Sequence, residues 1–457
     1  MSNIEWDVAV IGGGSGGYAA ARTTAAGGLR TIVIDGGAEL GGLCILRGCM
    51  PTKALLQATD VLHQAQRASV WGITTSEVGY DFEAIMRRKD ALIANFAGYR
   101  QTQLTDGRFS LIRAHARFTD PHTLELSNGG VVRSRAFVIA TGSIVAVPPL
   151  AALSALACLT SDEALTLRQI PQSLIVLGGG PVAVEFAQFF CRLGVAVTLI
   201  QRSAHLVREC DEDAAECLEG VFRREGMTLY LGTELTDAGR MPGGKFVTFN
   251  HQGVAHRVEA QEIFNGLGRS PNTGGLNLGA AGVATERGRV LANPRMQTSA
   301  AHIYAAGDCA GPHELVHLAV MQGEVAGHAL LGRTPAKEMD YRLLTSVVFT
   351  EPQLAVVGLT EKEARRRGIA YRTASYPFND HGKSMILDAV DGFVKLLSHP
   401  ETGEILGGAC AGPIAGELIH EVVVAMAARM TTAQFAAVPH YHPTLAEIWT
   451  YPAEDLL

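Results

Sequence analysis

The chain has 457 residues, enough for about three domains at roughly 150 residues each. An apolar fraction of 47% with a charged fraction of 18% indicates a large buried core and excludes a disordered chain. The net charge of −7 is spread without basic blocks, which disfavours a nucleic-acid or membrane-surface partner. Eight cysteines are too few for a disulfide-stapled secreted scaffold, and no basic segment precedes the first apolar run, as a signal peptide would require. We therefore expect a soluble, cytoplasmic protein.

The first predicted unit consists of a strand, a glycine turn, a helix and a second strand. In chain order these are a strand over 6–11, the turn residues Gly12, Gly14 and Gly17, a helix over 18–26, and a strand over 29–34 that ends in Asp35. The Gly-x-Gly-x-x-Gly spacing lets a pyrophosphate approach the backbone at a helix N-terminus, and the acid binds a ribose hydroxyl. The complete pattern predicts a dinucleotide site.

Cys44 and Cys49 are separated by four residues and directly precede a predicted helix with Pro51 just inside its start. A helix N-terminus favours the thiolate, which can attack a disulfide or donate electrons to an adjacent acceptor. The alternative is a pair of buried core thiols. To that structural class we assign the other six cysteines: Cys158, Cys191, Cys210, Cys217, Cys309 and Cys410. No second Cys or His pair has ligand spacing, so no metal site is expected.

The middle of the chain repeats the first arrangement. Helices are predicted over 53–66 and 82–103, and strands over 110–118, 123–126 and 136–142. The second unit then has a strand over 173–177, the turn residues Gly178, Gly180 and Ala183, a helix to Leu193, and a strand over 195–200 followed by Gln201. Gly12 to Asp35 and Gly178 to Gln201 both span 23 positions. Two such units predict two dinucleotide sites in one chain.

A strand over 302–306, similar to that over 136–142, enters a turn at Gly307 and Asp308, and the pattern changes from Val347 onward. Strands follow near 347–350, 374–378, 392–397 and 405–411, with helices over 415–429 and 432–437. We therefore predict an α/β protein with two Rossmann-like dinucleotide-binding domains and a C-terminal α+β domain.

These motifs resemble those of the flavin-dependent pyridine nucleotide–disulfide oxidoreductases, a family that includes dihydrolipoamide dehydrogenase, glutathione reductase and mercuric reductase. The resemblance covers the whole chain and is carried by residues 41–53, 140–143, 266–273, 304–308 and 440–447. It implies FAD in the first unit, NAD(P) in the second and a homodimer with shared active sites. The implied division is 1–148 and 269–340 for the two parts of the FAD domain, 149–268 for the NAD(P) domain and 341–457 for the dimerisation domain.

The resemblance also implies catalytic roles. Hydride would pass from the nicotinamide to the flavin and then to the Cys44–Cys49 disulfide, with Cys49 facing the flavin and Cys44 exchanging with substrate. Lys53 would lie beside the flavin, paired with Glu185. His442 and Glu447 would form the acid–base pair, in which an imidazole moves the dithiol proton and a carboxylate orients the ring. Alternatively, Glu447 closes a capping box that begins at Thr444. His440 is expected to be structural.

The implied cofactor contacts form two sets. The FAD set is Gly12, Gly14, Ser15, Gly17, Asp35, Lys53, Ala116, Thr141, Gly142, Asp308, Leu315, Val316, His317 and Ala319, with 315–319 matching a loop along the isoalloxazine. The NAD(P) set is Gly178, Gly180, Val182, Ala183, Gln201, Arg202, Arg208, Gly268 and Arg269. An acid at position 201 would bind the diol of NAD, whereas Gln201 with two nearby arginines resembles a reader of the 2′-phosphate. NADPH is therefore favoured over NADH, the alternative being two solvated surface arginines.

The substrate indications conflict. Ser15 and Arg22 match positions that glutathione reductases use for their tripeptide, but Glu324 stands where that subfamily has an arginine. The histidine pattern at 440–447 and the segment 315–319 are more like dihydrolipoamide dehydrogenases, which usually carry an acid at position 201. The vicinal C-terminal cysteines of mercuric reductases are absent from residues 452–457. We predict an oxidoreductase for a small disulfide or dithiol, most like dihydrolipoamide dehydrogenase. The alternatives are an NADPH-dependent reductase of a glutathione-type disulfide, or a mercuric-reductase-like or quinone-reducing flavoprotein.

Overall fold

The structure is a computed structural model, and it describes residues 5–457. Its strands are β1 (Trp6–Ile11), β2 (Thr31–Ile34), β3 (Ser110–Ile112), β4 (Ala116–Asp120), β5 (Thr123–Leu126), β6 (Val131–Ile139), β7 (Ser143–Val145), β8 (Ser173–Leu177), β9 (Ala196–Gln201), β10 (Thr228–Leu231), β11 (Thr233–Met241), β12 (Gly244–His251), β13 (Val254–Ala260), β14 (Glu262–Asn265), β15 (Arg269–Pro271), β16 (Thr285–Glu286), β17 (Arg289–Val290), β18 (Ile303–Ala305), β19 (Thr345–Val348), β20 (Gln353–Gly358), β21 (Arg372–Pro377), β22 (Phe393–Ser398) and β23 (Ile405–Gly412).

The α-helices are α1 (Ser15–Ala26), α2 (Gly42–Arg47), α3 (Cys49–Gln66), α4 (Phe82–Thr105), α5 (Ala151–Ser154), α6 (Ser161–Ala164), α7 (Pro181–Arg192), α8 (Glu212–Arg224), α9 (Val316–Leu330), α10 (Glu361–Arg367), α11 (Gly382–Ile386), α12 (Ala415–Ala427), α13 (Thr432–Ala436) and α14 (Thr450–Glu454). Short 3-10 helices occupy Ala68–Trp71, Leu278–Ala281, Tyr341–Leu343, Phe378–Asp380 and Ala446–Trp449.

The chain forms two compact units, and the first contains residues 5–52, Met86–Ala146 and Arg269–Asp340. Its main sheet has the strand order β3-β2-β1-β6-β5-β4. Strand β18 pairs with the last three residues of β6, 137–139. Strands β3, β2, β1, β6 and β18 are parallel, whereas β4 and β5 form an antiparallel extension. Strands β1, β2 and β18 and residues 136–139 of β6 are mostly apolar and buried, as expected when helices cover both faces of the sheet, whereas β3 at the edge is partly exposed.

Helices α1 and α9 of the first unit pack with their backbones in contact. A Cβ atom added to Gly323 would lie 2.2 Å from the carbonyl oxygen of Gly16, and one added to Gly16 would lie 3.1 Å from the carbonyl oxygen of Ala319. A Cβ atom at Gly327 would lie 2.7 Å from the Thr23 methyl carbon. Side chains at these glycines would push the two helices apart.

The second unit contains Lys53–Ile85, Val147–Gly268 and Tyr341–Leu457. It has a parallel sheet in the order β10-β9-β8-β14, an antiparallel meander β11-β12-β13, and a five-stranded antiparallel sheet in the order β19-β20-β23-β22-β21. Helix α12 covers the five-stranded sheet, and Phe378 and Trp449 are fully buried in that core. This antiparallel sheet with helices is the α+β region that the C-terminal pattern predicted.

A buried arginine ties together several elements of the second unit. The Arg192 guanidinium, with a side chain 3% exposed, lies 2.7 Å from carboxylate oxygens of Asp60, Glu225 and Glu351. Burial raises the pKa of the Asp60 carboxyl to about 6, although Arg192 opposes the shift. Three carboxylates around one cation leave an excess of negative charge when all are ionised. Ionisation of one of them is therefore unfavourable in free energy.

The α/β fold class is confirmed, and most predicted elements differ from the structure by a few residues at their ends. The single strand predicted over 110–118 is wrong, because β3 ends at Ile112 and β4 begins at Ala116. The break reflects their partners: β3 runs parallel to β2, whereas β4 pairs antiparallel with β5. The four-segment domain division stays a prediction.

Candidate functional site

The first glycine turn leads from β1 into α1. Gly12 has φ +106°, and a Cβ atom there would lie 2.3 Å from the carbonyl oxygen of Ala140. A Cβ atom at Gly17 would lie 1.8 Å from the Gly12 oxygen, so neither position accepts a side chain. Helix α1 has Gly14 as its N-cap, no capping side chain and no acid in its first turn. Its first-turn N–H groups and positive end therefore fit a pyrophosphate such as that of FAD.

Asp35 lies at the end of β2 and its carboxylate is fixed at this turn. One oxygen accepts a hydrogen bond from the Gly13 N–H at 2.7 Å, and the other accepts from the Gly37 N–H at 2.9 Å. An ionised carboxylate has about four acceptor positions, so two remain for the hydroxyls of a ribose. The turn and the acid thus form the cradle that the spacing predicted.

A chain of polar side chains links β7, β15 and the 307–311 turn in the same unit. The Arg269 Nε donates to the Ser143 hydroxyl oxygen at 2.8 Å, and that hydroxyl donates to the Asp308 carboxylate at 2.7 Å. The Thr141 hydroxyl oxygen is buried without a hydrogen-bond partner, as expected of a group that meets a polar ligand. Gln322 fixes the turn, since its amide accepts from the Gly307 N–H. Neither Ser143 nor Gln322 was predicted, because both act through partners distant in sequence.

The segment Leu315 to Ala319 is not a loop, and that expectation is wrong. Leu315 is the N-cap of α9, and the next four residues form its first turn. Leu318 and Ala319 are buried and continue the helical burial pattern of α9, which explains why the helix begins this early. The segment therefore presents a helix N-terminus, without an acid in the first turn.

The two motif cysteines lie on consecutive helices next to the first glycine turn. Cys44 is on α2, Cys49 is the first residue of α3, and both are half-buried. A Cβ atom at Gly42, the first residue of α2, would lie 2.7 Å from the Gly14 Cα. The start of the cysteine segment therefore touches the cradle.

The other six cysteines are poor thiolates. Burial raises the pKa of Cys191 and Cys217 to about 11 and of Cys210 to about 12. It also raises the pKa of Cys158, Cys309 and Cys410. Three of the six are fully buried and three are half-buried. These raised pKa values fit a structural class of thiols, which would be protonated at neutral pH.

In the second unit, Lys53 and Glu185 are in contact, as the resemblance implied. The Lys53 ammonium donates to both Glu185 oxygens, at 2.8 and 3.0 Å. The Glu185 side chain is only 3% exposed, and its carboxylate also accepts from the Phe349 N–H at 3.0 Å. The ammonium lies 4.6 Å from the centre of the Phe349 ring. A buried carboxylate and an aromatic face together fix the position of the cation.

His442 and Glu447 form a second preorganised pair in this unit. The His442 Nδ1 lies 2.9 and 3.1 Å from the two Glu447 oxygens, while the His442 side chain is 79% exposed. His381, fully buried, has Nε2 3.3 Å from the same carboxylate and Nδ1 2.8 Å from the Ser384 hydroxyl. Burial lowers the pKa of His381, which keeps it neutral at pH 7. Sequence reasoning missed His381, which lies outside the 440–447 motif.

The capping-box alternative is present only in part. The Thr444 hydroxyl accepts from the Glu447 N–H at 3.4 Å, but the Glu447 carboxylate faces the two imidazoles. His440 has separate partners, since one ring nitrogen contacts the Glu421 carboxylate and the other lies 2.8 Å from the Val438 carbonyl oxygen. These contacts fit the structural role expected for His440.

The second glycine turn leads from β8 into α7. Gly178 has φ +108°, and a Cβ atom there would lie 2.3 Å from the Gly266 oxygen. Gly180 is the N-cap of α7 without a capping side chain, and a Cβ atom there would meet nothing within 4 Å. Ala183 fills the third motif position, and a Cβ atom at Gly266 would lie 2.7 Å from the Ala183 Cβ. The glycine at 266 makes room for that alanine, so the turn keeps the shape of a dinucleotide cradle.

The end of β9 carries the residues that were expected to read the coenzyme ribose. The Gln201 side-chain oxygen accepts from the Arg202 N–H at 3.0 Å, and Arg202 is exposed. The exposed Arg208 guanidinium donates to Glu209 at 3.0 Å, and both side chains are nearly two-thirds exposed. Exposed pairs of this kind contribute little, so Glu209 holds Arg208 only weakly.

Each predicted set of cofactor-binding residues lies within one compact unit of the chain, with one exception in each set. The first unit contains every predicted FAD residue except Lys53, including Ser15 at the start of α1, buried Ala116 on β4 and Gly142 with open space beside it. The second unit contains every predicted NAD(P) residue except Arg269, including exposed Val182 and Gly268, which has φ +110°.

Arg22 is held within the first unit. Its guanidinium pairs with the Glu324 carboxylate, which joins α1 to α9. Across residues 5–457, no group of three or more His, Cys, Asp or Glu side chains is arranged to hold a metal ion. Within the same range, no helix has the length and apolar character needed to cross a membrane.

Comparison with known protein families decides the identity of the fold. Residues 6–323 match the family described as pyridine nucleotide-disulphide oxidoreductase, and residues 344–453 match the dimerisation domain of that family. The chain belongs to the pyridine nucleotide–disulphide oxidoreductases. Members of this family use FAD and a pyridine nucleotide. The two glycine turns of this chain are therefore of the type that binds dinucleotide cofactors.

Curated relatives extend over almost the whole oxidoreductase chain. A dihydrolipoyl dehydrogenase from Thermus scotoductus is 35% identical over 433 residues, covering 94% of this chain and 92% of the relative. A mitochondrial dihydrolipoyl dehydrogenase from Pisum sativum is 32% identical and covers 97% and 90%, respectively. A mercuric reductase from Staphylococcus aureus is 32% identical and covers 92% and 77%. These relatives identify the chain as an FAD-dependent disulfide oxidoreductase.

Solved structures show the same fold along the full length. LpdA from Mycobacterium tuberculosis has a TM-score of 0.89 and 28% identity, and the match covers 99% of this chain and 100% of LpdA. RclA from Escherichia coli, a flavoprotein disulfide reductase, has a TM-score of 0.87 at 24% identity, covering 98% and 99%. The relatives include more than one substrate class, so the substrate of this oxidoreductase has to be inferred from its own residues.

Proposed function

We propose that this chain forms a homodimeric enzyme that moves two electrons between NADPH and a small disulfide or dithiol through Cys44 and Cys49. The observation that carries the proposal is the contact of α2, the helix that carries Cys44, with Gly14 of the FAD-type glycine turn, with Cys49 following at the start of α3. FAD, when bound there, supplies the two-electron step between the nicotinamide and the cysteine pair. The dimerisation domain at 344–453 supports the homodimer.

The cysteine chemistry is a balanced thiol–disulfide exchange. In the reducing direction, the Cys44 thiolate attacks one sulfur of the substrate disulfide, whose S–S bond breaks as a mixed disulfide forms. The first substrate thiolate leaves and takes a proton. The Cys49 thiolate then attacks the Cys44 sulfur, which releases the second substrate thiolate and forms the Cys44–Cys49 disulfide. Two electrons pass to the substrate, and NADPH restores the dithiol.

The proposed proton donor is His442. The Glu447 carboxylate accepts a hydrogen bond from the Nδ1–H of His442, so the opposite ring nitrogen, Nε2, is the one proposed to exchange protons with the thiols. The high exposure of His442 suits a group that acts on a substrate from outside its own unit. From the resemblance of the tail, we propose that it serves the cysteine pair of the partner subunit. Lys53, held by Glu185, is the proposed positive charge beside the flavin.

The NADPH preference rests on the end of β9. Gln201 places no carboxylate where a 2′-phosphate would bind, so the coenzyme dianion meets no repulsion there. Arg202 and Arg208 supply two exposed guanidinium groups next to that position. Dihydrolipoyl dehydrogenases usually use NAD, so this feature separates the chain from the relatives that it otherwise resembles most. The domain division at 148, 268 and 340 and the cytoplasmic location belong to the same proposal.

The test replaces each motif cysteine separately. Cys44→Ser and Cys49→Ser should retain FAD, and NADPH should still reduce the flavin, but disulfide turnover should be abolished. Cys217→Ser, at a half-buried cysteine of α8, is the matched control and should keep full turnover. Reduction of lipoamide, glutathione disulfide and 2-hydroxyethyl disulfide should be followed by oxidation of NADPH. Undiminished disulfide reduction by both cysteine variants would refute the dithiol mechanism.

A further inference from the structure

Three guanidinium groups surround the ring of Tyr18 on α1. The central carbons of Arg100, Arg22 and Arg108 lie 4.3, 5.9 and 5.9 Å from the ring centre. Tyr18 is only 8% exposed, and its hydroxyl accepts from Arg108 at 3.0 Å. The aromatic face therefore forms a fixed platform for cations, and all four residues belong to the first unit.

Only two of these three arginines have an acidic partner. Arg22 pairs with Glu324, and the Arg108 Nε donates to Asp106 at 2.7 Å. Arg100 forms no ion pair with any residue between 5 and 457, and its buried Nε has no hydrogen-bond partner. Three cations and two anions leave a net charge of +1 here, in a chain whose overall net charge is −7. A half-buried guanidinium without a counter-ion is the feature to explain.

This cluster lies beside the proposed substrate-exchanging thiol. The Tyr18 N–H donates to the Gly14 oxygen at 2.8 Å, and Gly14 meets Gly42, the first residue of the helix that carries Cys44. Tyr18 and Cys44 are therefore each about one helical turn or less from the same contact. Burial lowers the pKa of Arg100, while the Cys44 thiol is close enough to interact with it electrostatically. An anion bound by Arg100 would lie next to a disulfide under attack by Cys44.

We propose that the disulfide substrate carries a carboxylate close to its sulfur atoms and that Arg100 binds this carboxylate. The inference rests on the proposed function, since it assigns the substrate class of the same cysteine pair. A guanidinium stacked on an aromatic ring keeps its planar edge available, and that edge matches a carboxylate in a two-point hydrogen bond. Arg22 already has an acidic partner in Glu324, so Arg100 is the arginine of this cluster that lacks one within the described part of the chain. Arg100 is thus the specificity-determining cation.

The test compares three disulfides that differ only in the end group. 3,3′-Dithiodipropionate, 2-hydroxyethyl disulfide and cystamine all have two methylenes on each side of the sulfurs and end in a carboxylate, a hydroxyl and an ammonium. The wild-type enzyme should have its highest kcat/KM with the carboxylate probe. Arg100→Gln should lower kcat/KM for that probe about 10- to 100-fold, mainly through KM, as for loss of a hydrogen bond to a charged group. Turnover of the hydroxyl probe should change less than about twofold.

Two further variants separate specificity from folding. Arg100→Lys keeps the charge and should recover part of the carboxylate preference. Arg88→Gln removes an exposed arginine from the same helix and should change none of the three values. Flavin absorbance and Tm report whether each variant is folded.

Two results would overturn the inference: no wild-type preference for the carboxylate, or an equal loss for all three probes in Arg100→Gln. Either result leaves the proposed function standing as long as Cys44→Ser abolishes turnover of every probe. Turnover that survives in Cys44→Ser would instead refute the proposed function itself.

Discussion

Replacing Glu447 with Gln tests the acid–base pair most directly. The substitution keeps the size of the side chain and one acceptor oxygen but removes the negative charge. In the structure, the two carboxylate oxygens lie 2.9 and 3.1 Å from the His442 Nδ1. His442 has no other hydrogen-bond partner among the described residues, so the carboxylate alone orients the ring.

The expected magnitude follows from burial and charge. A hydrogen bond to a charged group contributes about 1.5–3 kcal/mol, and the high exposure of His442 reduces this to about 1–1.5 kcal/mol. Glu447→Gln should therefore lower the rate of the disulfide half-reaction about 5- to 10-fold. His442→Ala removes the proton donor itself and should lower that rate by about 10² to 10⁴.

Stopped-flow absorbance separates the two half-reactions. Reduction of the flavin by NADPH should stay within about twofold of wild type in both variants, while reoxidation of the reduced enzyme by 2-hydroxyethyl disulfide should slow. Glu421→Gln is the matched control, because it removes the carboxylate from the other histidine pair, at His440. The reasoning is refuted if Glu447→Gln slows both half-reactions equally, or if Glu421→Gln slows the disulfide half-reaction as much.

Two other predictions concern the second unit. Arg202→Ala combined with Arg208→Ala should raise KM for NADPH at least about tenfold more than KM for NADH, measured as coenzyme oxidation; a parallel rise would show that the arginines do not read the 2′-phosphate. Folding raises the pKa of the Asp60 carboxyl from 3.8 to about 6, so the native state binds the carboxyl proton more tightly than the unfolded state does. Protonation of Asp60 therefore increases the free energy of unfolding as pH falls from about 6 towards 4. Above pH 6, Asp60→Asn should raise the free energy of unfolding by about 1–2 kcal/mol, allowing for partial exposure, since Arg192 keeps two other carboxylates. Urea unfolding should show this difference disappear by about pH 4, and a constant difference would contradict the assignment.

The parts of the site that sequence reasoning located are those with short-range signals. Gly12 to Asp35 form one strand–helix–strand unit, in which close backbone approach permits only glycine, so the spacing itself carries the information. The His442–Glu447 contact also spans only five residues. Lys53 and Glu185 are 132 residues apart, and only the family resemblance could pair them.

The parts that sequence reasoning missed depend on tertiary contacts without a local pattern. His381 is one of fifteen histidines in the sequence, and no sequence pattern distinguishes it from the others. Only the fold brings it to Glu447. Arg100 differs from Arg22 and Arg108 because each of those two has an acidic partner. The Arg22–Glu324 pair spans 302 residues, so no local sequence pattern reveals it. The helical start of 315–319 was missed because its signal is burial against a neighbouring helix, which outweighs local sequence.

The glycine contact between α1 and α9 has a consequence for how this enzyme can evolve. A side chain at Gly16, Gly323 or Gly327 would separate α1 from α9. Both helix N-termini are thereby aligned by backbone contact rather than by adaptable side chains. The proposed substrate-selecting residue, Arg100 on α4, lies outside this contact, so its replacement leaves the spacing of α1 and α9 unchanged. A change in the proposed disulfide preference therefore need not disturb the backbone contact between α1 and α9.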